Sequence, residues 1–229
     1  VMWGRSLYRN IQRFILFQIT VNIVACITVL GGAFMGLQSP LTVIQILWVN
    51  LIMDTFAAIA LASLPPTASV MSEKPRWTSD FIISHPMWRF ILGCGCLFSI
   101  FLMGLLFYMQ HTDITSLTQI GSAPWVSAKY ELSAYELSLF FTIFVFLQFW
   151  NLFNARAFAT GRSAFHFRDC GGFLCIVSVI CIGQVLIVTY GGEWFNVVPL
   201  RLSDWLIIIG GTSAVLWLGE IWRVFFRKN

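Results

Sequence analysis

Apolar residues run along this chain in six long blocks separated by shorter polar stretches. The blocks lie at about residues 5–34, 41–64, 87–109, 134–153, 170–190 and 204–226. Each is long enough for an α-helix to cross a hydrocarbon core about 30 Å thick. The first block exceeds what one crossing needs. Its opening part is amphipathic, with Arg5, Arg9 and Arg13 at helical spacing, and is expected to stand out of the membrane as a stalk. Gln38-Ser39-Pro40 makes a tight turn into the second block, so the first two crossings are antiparallel neighbours. Pro65-Pro66 stops the second helix. Polar stretches at 67–84 and 110–133 read as loops on opposite sides. The predicted fold class is an all-α membrane protein, a bundle of six transmembrane helices.

Composition supports that pattern. Hydrophobic residues make up 58% of the chain and charged residues only 10%, against about 25% charged in soluble domains. The net charge of +4 is therefore no sign of nucleic-acid binding; its placement reports topology. Six crossings put both ends on one side. With that side go Arg5, Arg9, Arg13, Lys74, Arg76, Arg89, Arg156, Arg162, Arg168, Arg223, Arg227 and Lys228, leaving only Lys129 and Arg201 opposite. The basic side is expected to be the cytoplasmic one. The six cysteines lie in or beside apolar runs, which argues against a disulfide framework. No signal peptide is expected from these residues, and an opening at Val1 without an initiator Met reads as part of a longer chain.

Few polar residues interrupt the blocks. In WVNLIMDT, Asn50 and Asp54 are four apart and share one face of a helix. An ionised Asp at bilayer depth costs about 2.5–3.5 kcal/mol on insertion scales, and no cationic side chain lies in the same span. A bound cation with oxygen ligands from Asp54, the Asn50 carbonyl and other helices would offset that cost. A protonated Asp54 hydrogen-bonded to a neighbouring helix is the alternative. Asn22, in QITVNIVACITVL, can lie at similar depth, either as a ligand or as interhelical hydrogen bonding. Gln148 and Asn151 are three apart and share a face of the fourth block. Glu220 is expected to pair locally with Arg223.

These segments resemble a known family. VNLIMDT followed by small apolar residues and PP is similar to the sixth transmembrane helix of P-type calcium-transporting ATPases. GRSLYRNIQRFILFQITVNIVA resembles their fifth helix, EKPR, FIIS and WRFILG the loop into the seventh, and LQFWNLFNAR the eighth. The resemblance covers nearly the whole chain in order. It implies that residues 1–229 form a C-terminal cation-transporting ATPase transmembrane domain whose spans match helices five to ten of the pump.

The resemblance further implies a transported Ca²⁺ held by Asn50 and Asp54 with Asn22, and Gln148 as a weaker or outlying contributor. Ala25, Met53 and Gln148 stand where the two-site pattern has Glu, Thr and Glu. The chain is thus closer to plasma-membrane-type pumps with one ion per cycle. ATP and Mg²⁺ enter only through domains absent from these residues, which contain no DKTG phosphorylation loop. The implied partners are the lipid bilayer and the N-terminal remainder of the pump: helices one to four and the phosphorylation, nucleotide and actuator domains. The implied location is the plasma membrane, multi-pass, with both termini cytoplasmic. A truncated or separately encoded six-helix module without ATPase activity is an alternative. So is a pump for Mn²⁺ or another cation, because oxygen ligands suit several divalent ions.

Overall fold

Six crossings form, but two of them are not single helices. The computed structural model describes residues 1–66, 68–72, 81–160, 163–167 and 170–226, without the side chains of 52–54, 68, 69 and 224–226. Glu73, Lys74, Arg76, Asp80, Arg162, Arg168, Arg227 and Lys228 lie outside the described residues.

The first crossing is α1 (Met2–Phe34). It ends in a Schellman closure: Gly36 takes a left-handed φ of 75°, its N–H donates to the Ala33 carbonyl, and the Leu37 N–H reaches back to Gly32. The second crossing is expected to be one helix over 41–64. It is instead α2 (Val43–Trp48), a π-helical turn (Val49–Asp54) and α3 (Thr55–Ala62). Thr42 caps α2 reciprocally, taking the Gln45 N–H on its hydroxyl while its own N–H donates to the Gln45 side chain. The third crossing, α4 (His85–Gln110), has Pro86 in its first turn, where a missing N–H costs nothing.

The fourth crossing, α5 (Ala134–Ala157), opens on a capping box between Ser133 and Glu136. It runs past the expected end at 153. The fifth is α6 (Gly171–Tyr190), followed by the short α7 (Gly192–Phe195). The sixth is broken at Ser213 into α8 (Leu202–Thr212) and α9 (Ala214–Phe226), just after Gly210-Gly211, where side-chain support is least. Among the described residues, six helical stretches are thus long and apolar enough to cross a membrane. No disulfide joins the described cysteines.

The centre of the bundle is α5. It is buried around almost its whole circumference, whereas each other crossing buries only part of its surface. On one side it packs against α8 through Phe146 and Trp205, ring centroids 6.0 Å apart, and through the Trp150 indole N–H donating to Thr212. Towards α6 it packs through Phe153 and Phe173. On the remaining side lie α1 and α4.

The polar opening of α1 is not a solvated stalk along its whole surface. Arg5 donates to the Val70 carbonyl at 3.0 Å, Asn10 to Leu64, Gln12 to Ile82 at 2.7 Å, and Arg13 to Phe158 at 3.2 Å. Gln12 and Arg13 are buried. These donors take main-chain carbonyls from the segments after α3, before α4 and after α5. One helix thereby gathers the ends of three crossings.

Candidate functional site

The π-helical turn is the irregular backbone at the centre of the second crossing, and it carries both residues singled out by spacing. A π-helical turn closes on i→i+5 hydrogen bonds, so one turn is wider than its α-helical neighbours. Asn50 is the second residue of this turn and Asp54 the last. The Asn50 side chain is half-buried and has no hydrogen-bond partner among the described residues. The side chains of Asp54 and Met53 lie outside the described ones.

Asn22 sits on the exposed side of α1, in line with Cys26 and Leu30, each one turn further on. On α2 and the π turn, Val43, Leu47 and Leu51 form a comparable exposed row. Gln148 is fully buried. Phe146 and Trp150 face α8, so Gln148, two residues from each, lies on the face of α5 turned away from α8. Asn151 shares that buried face. Both side-chain polar atoms of each amide lack a partner among the described residues. No described hydrogen bond joins Asn22, Asn50 and Gln148.

The expected pairing of Glu220 with Arg223 is present, and it does more than the spacing suggests. Glu220 also accepts the Ala164 N–H at 2.6 Å. Arg223 donates to the Asn154 side-chain amide oxygen, tying α9 to α5 and to the segment after α5.

Sequence reasoning passed over the residues that hold the flanks of the π turn. The Trp48 indole donates to the Gln184 amide oxygen on α6 at 3.2 Å, and Gln45 donates to the Phe195 carbonyl at 2.8 Å. Gln184 is the one amide in GGFLCIVSVICIGQVLIVTY, and that isolation was the available signal.

The arrangement is an interrupted membrane helix with an amide and a carboxylate in its interruption, packed on a long first helix. Interrupted membrane helices of this kind leave backbone and polar side chains free of a regular helix at membrane depth. Residues 38–225 match the family model of the cation-transporting ATPase C-terminus, and the chain belongs to that family. It is 35% identical over 223 residues to plasma membrane calcium-transporting ATPase mca-1 of Caenorhabditis elegans, covering 96% of this chain and 17% of that protein. It is 39% identical to plasma membrane calcium-transporting ATPase 2 of Oreochromis mossambicus (95% and 19%), and 37% identical to plasma membrane calcium-transporting ATPase 3 of Homo sapiens (95% and 18%). The chain thus spans less than a fifth of the length of these relatives.

Proposed function

We propose that this chain is the C-terminal membrane domain, residues 1–229, of an ATP-driven calcium pump of the plasma membrane. The observation that carries the reading is the match to plasma membrane calcium-transporting ATPases along 95–96% of the chain. The interruption of the second crossing at Asn50 and Asp54 supports it.

In this reading Ca²⁺ is the cargo. The Asp54 carboxylate supplies charge, and the Asn50 amide supplies a neutral oxygen at about 2.3–2.6 Å. Asn22 completes the set from the first helix. Its exposed face is then the face that helices from the N-terminal remainder of the pump cover. ATP and Mg²⁺ act on the domains of that remainder, and both termini of this chain lie on the cytoplasmic side.

Coupling follows from α1. A displacement at its cytoplasmic end is passed through Asn10, Gln12 and Arg13 to the ends of α3, α4 and α5. Movement of a rigid element past a bistable site is a recurrent form of alternating access.

The test is Asp54→Asn in the full-length protein. Calcium-dependent phosphorylation by ATP is expected to disappear while expression and membrane insertion persist. Phosphorylation with an unaltered calcium midpoint would refute the assignment of Asp54.

A further inference from the structure

The interrupted helix is pinned to α6 on both sides of its π turn, and the pin nearest the interruption is built from two polar side chains. On the cytoplasmic side of the turn, Gly172 of α6 lies against Ser63; a Cβ there would stand 3.3 Å from the Ser63 hydroxyl. On the other side, Gly183 and Gln184 of α6 receive the Trp48 ring. Beyond them Phe195 packs edge-on against Trp48, with ring centroids 5.9 Å apart and planes at 82°, and its carbonyl takes the Gln45 amide.

Packing alone does not account for Gln184. It is 1% exposed, and its Nε2 has no hydrogen-bond partner among the described residues. A leucine would fill similar space without burying an unused donor. Among the described residues, the one hydrogen bond of the Gln184 side chain is the Trp48 indole N–H donating to its Oε1. Trp48 is the last residue of α2, two before Asn50.

We propose that Gln184 is a positioning residue for the cation site: through Trp48 it fixes the rotation and height of α2, so that Asn50 enters the π turn at a set orientation. With α2 and α3 both held against α6, rearrangement during transport is confined to residues 49–54. The flanking halves do not swing. Gln184 touches no ion; it acts through Trp48. This inference rests on the calcium-pump reading above.

The experiment uses the full-length protein in membrane vesicles, with calcium titrations of phosphoenzyme formation from ATP. The variants are Q184L, W48F, their double and Q184E. Q184E keeps a side-chain oxygen that can accept the indole N–H. Q184L and W48F are each expected to raise the calcium midpoint by about three- to tenfold, the worth of one net hydrogen bond. The ATP midpoint stays in place. The double variant is expected to be no worse than the poorer single, because both remove the same contact. Q184E is expected to titrate close to the unsubstituted protein.

Midpoints unmoved in Q184L and W48F overturn the inference, as do additive effects in the double or a Q184E as impaired as Q184L. If Q184L fails to reach the membrane, W48F and Q184E carry the same comparison. Unsubstituted protein without calcium-dependent phosphoenzyme defeats the pump reading and this inference together. Normal unsubstituted protein with unmoved variants defeats the inference alone.

Discussion

The Ser116 hydroxyl donates to the Asp204 carboxylate at 2.7 Å, across 88 residues of chain. The same oxygen accepts the Leu117 N–H at 3.0 Å, and the other carboxylate oxygen accepts the Tyr135 hydroxyl. Asp204 is fully buried in the first turn of α8, where the helix end favours negative charge. Glu136, equally buried in the first turn of α5, takes the Ile114 N–H and the Lys129 ammonium. Two helix starts thus hold one loop by its backbone and by the Ser116 and Lys129 side chains. Asp204→Ala removes the acceptor of three hydrogen bonds at once and is expected to lower stability by roughly 2–4 kcal/mol. Melting in detergent and faster proteolysis within residues 112–117 would report it; an unchanged melt would show that the clamp is not needed.

Asn50→Ala separates a ligand from a mere link between helices. An interhelical hydrogen bond in a membrane averages about 0.6 kcal/mol, and Asn50 has no such bond among the described residues to lose. Stability without calcium is therefore expected to hold steady. Calcium affinity is expected to fall more than about tenfold, which is ~1.4 kcal/mol. A calcium titration of phosphorylation beside melting curves with and without calcium measures both.

Ala25 and Met53 offer no side-chain oxygen, and Gln148 is neutral and faces the buried side of α5. One calcium per phosphoenzyme is expected, with a Hill coefficient near one for calcium activation. Equilibrium binding of two ions per phosphorylation site would contradict this.

Gly219 brings α9 close to α5. A Cβ there would stand 2.3 Å from the Asn154 oxygen. Asn154 cannot turn aside freely, because it donates to the Val215 carbonyl and accepts from Arg223. Gly219→Ala is expected to destabilise by about 1–3 kcal/mol, the usual range for overpacking. Gly210→Ala, where nothing lies within 4 Å, serves as the contrast and is expected to be neutral or slightly stabilising. Melting temperatures of the two variants decide it.

By itself the sequence determined the six crossings, their approximate ends and the residues worth questioning within them. The bilayer acts on each segment separately, so length and apolarity are enough to mark a crossing. The capping boxes at Thr42 and Ser133 are local chemistry too, four residues each, but the pattern of apolar blocks did not mark them. Tertiary structure alone decided which crossing is central. The Phe-rich block of α5 reads like any lipid-facing helix, because lipid and protein interior are equally apolar and hydropathy carries no record of which one a side chain meets. It also decided that Asn22 faces outward, although a polar residue in a span usually turns inward, and that Asp204 and Glu136 are buried clamps instead of loop edges. The break at Val49–Asp54 was hidden for a related reason. Periodicity predicts a helix through those residues, but the contacts that hold its flanks come from Gln184 and Phe195, 136 and 150 residues further along the chain. A local pattern cannot register a partner that only folding brings near.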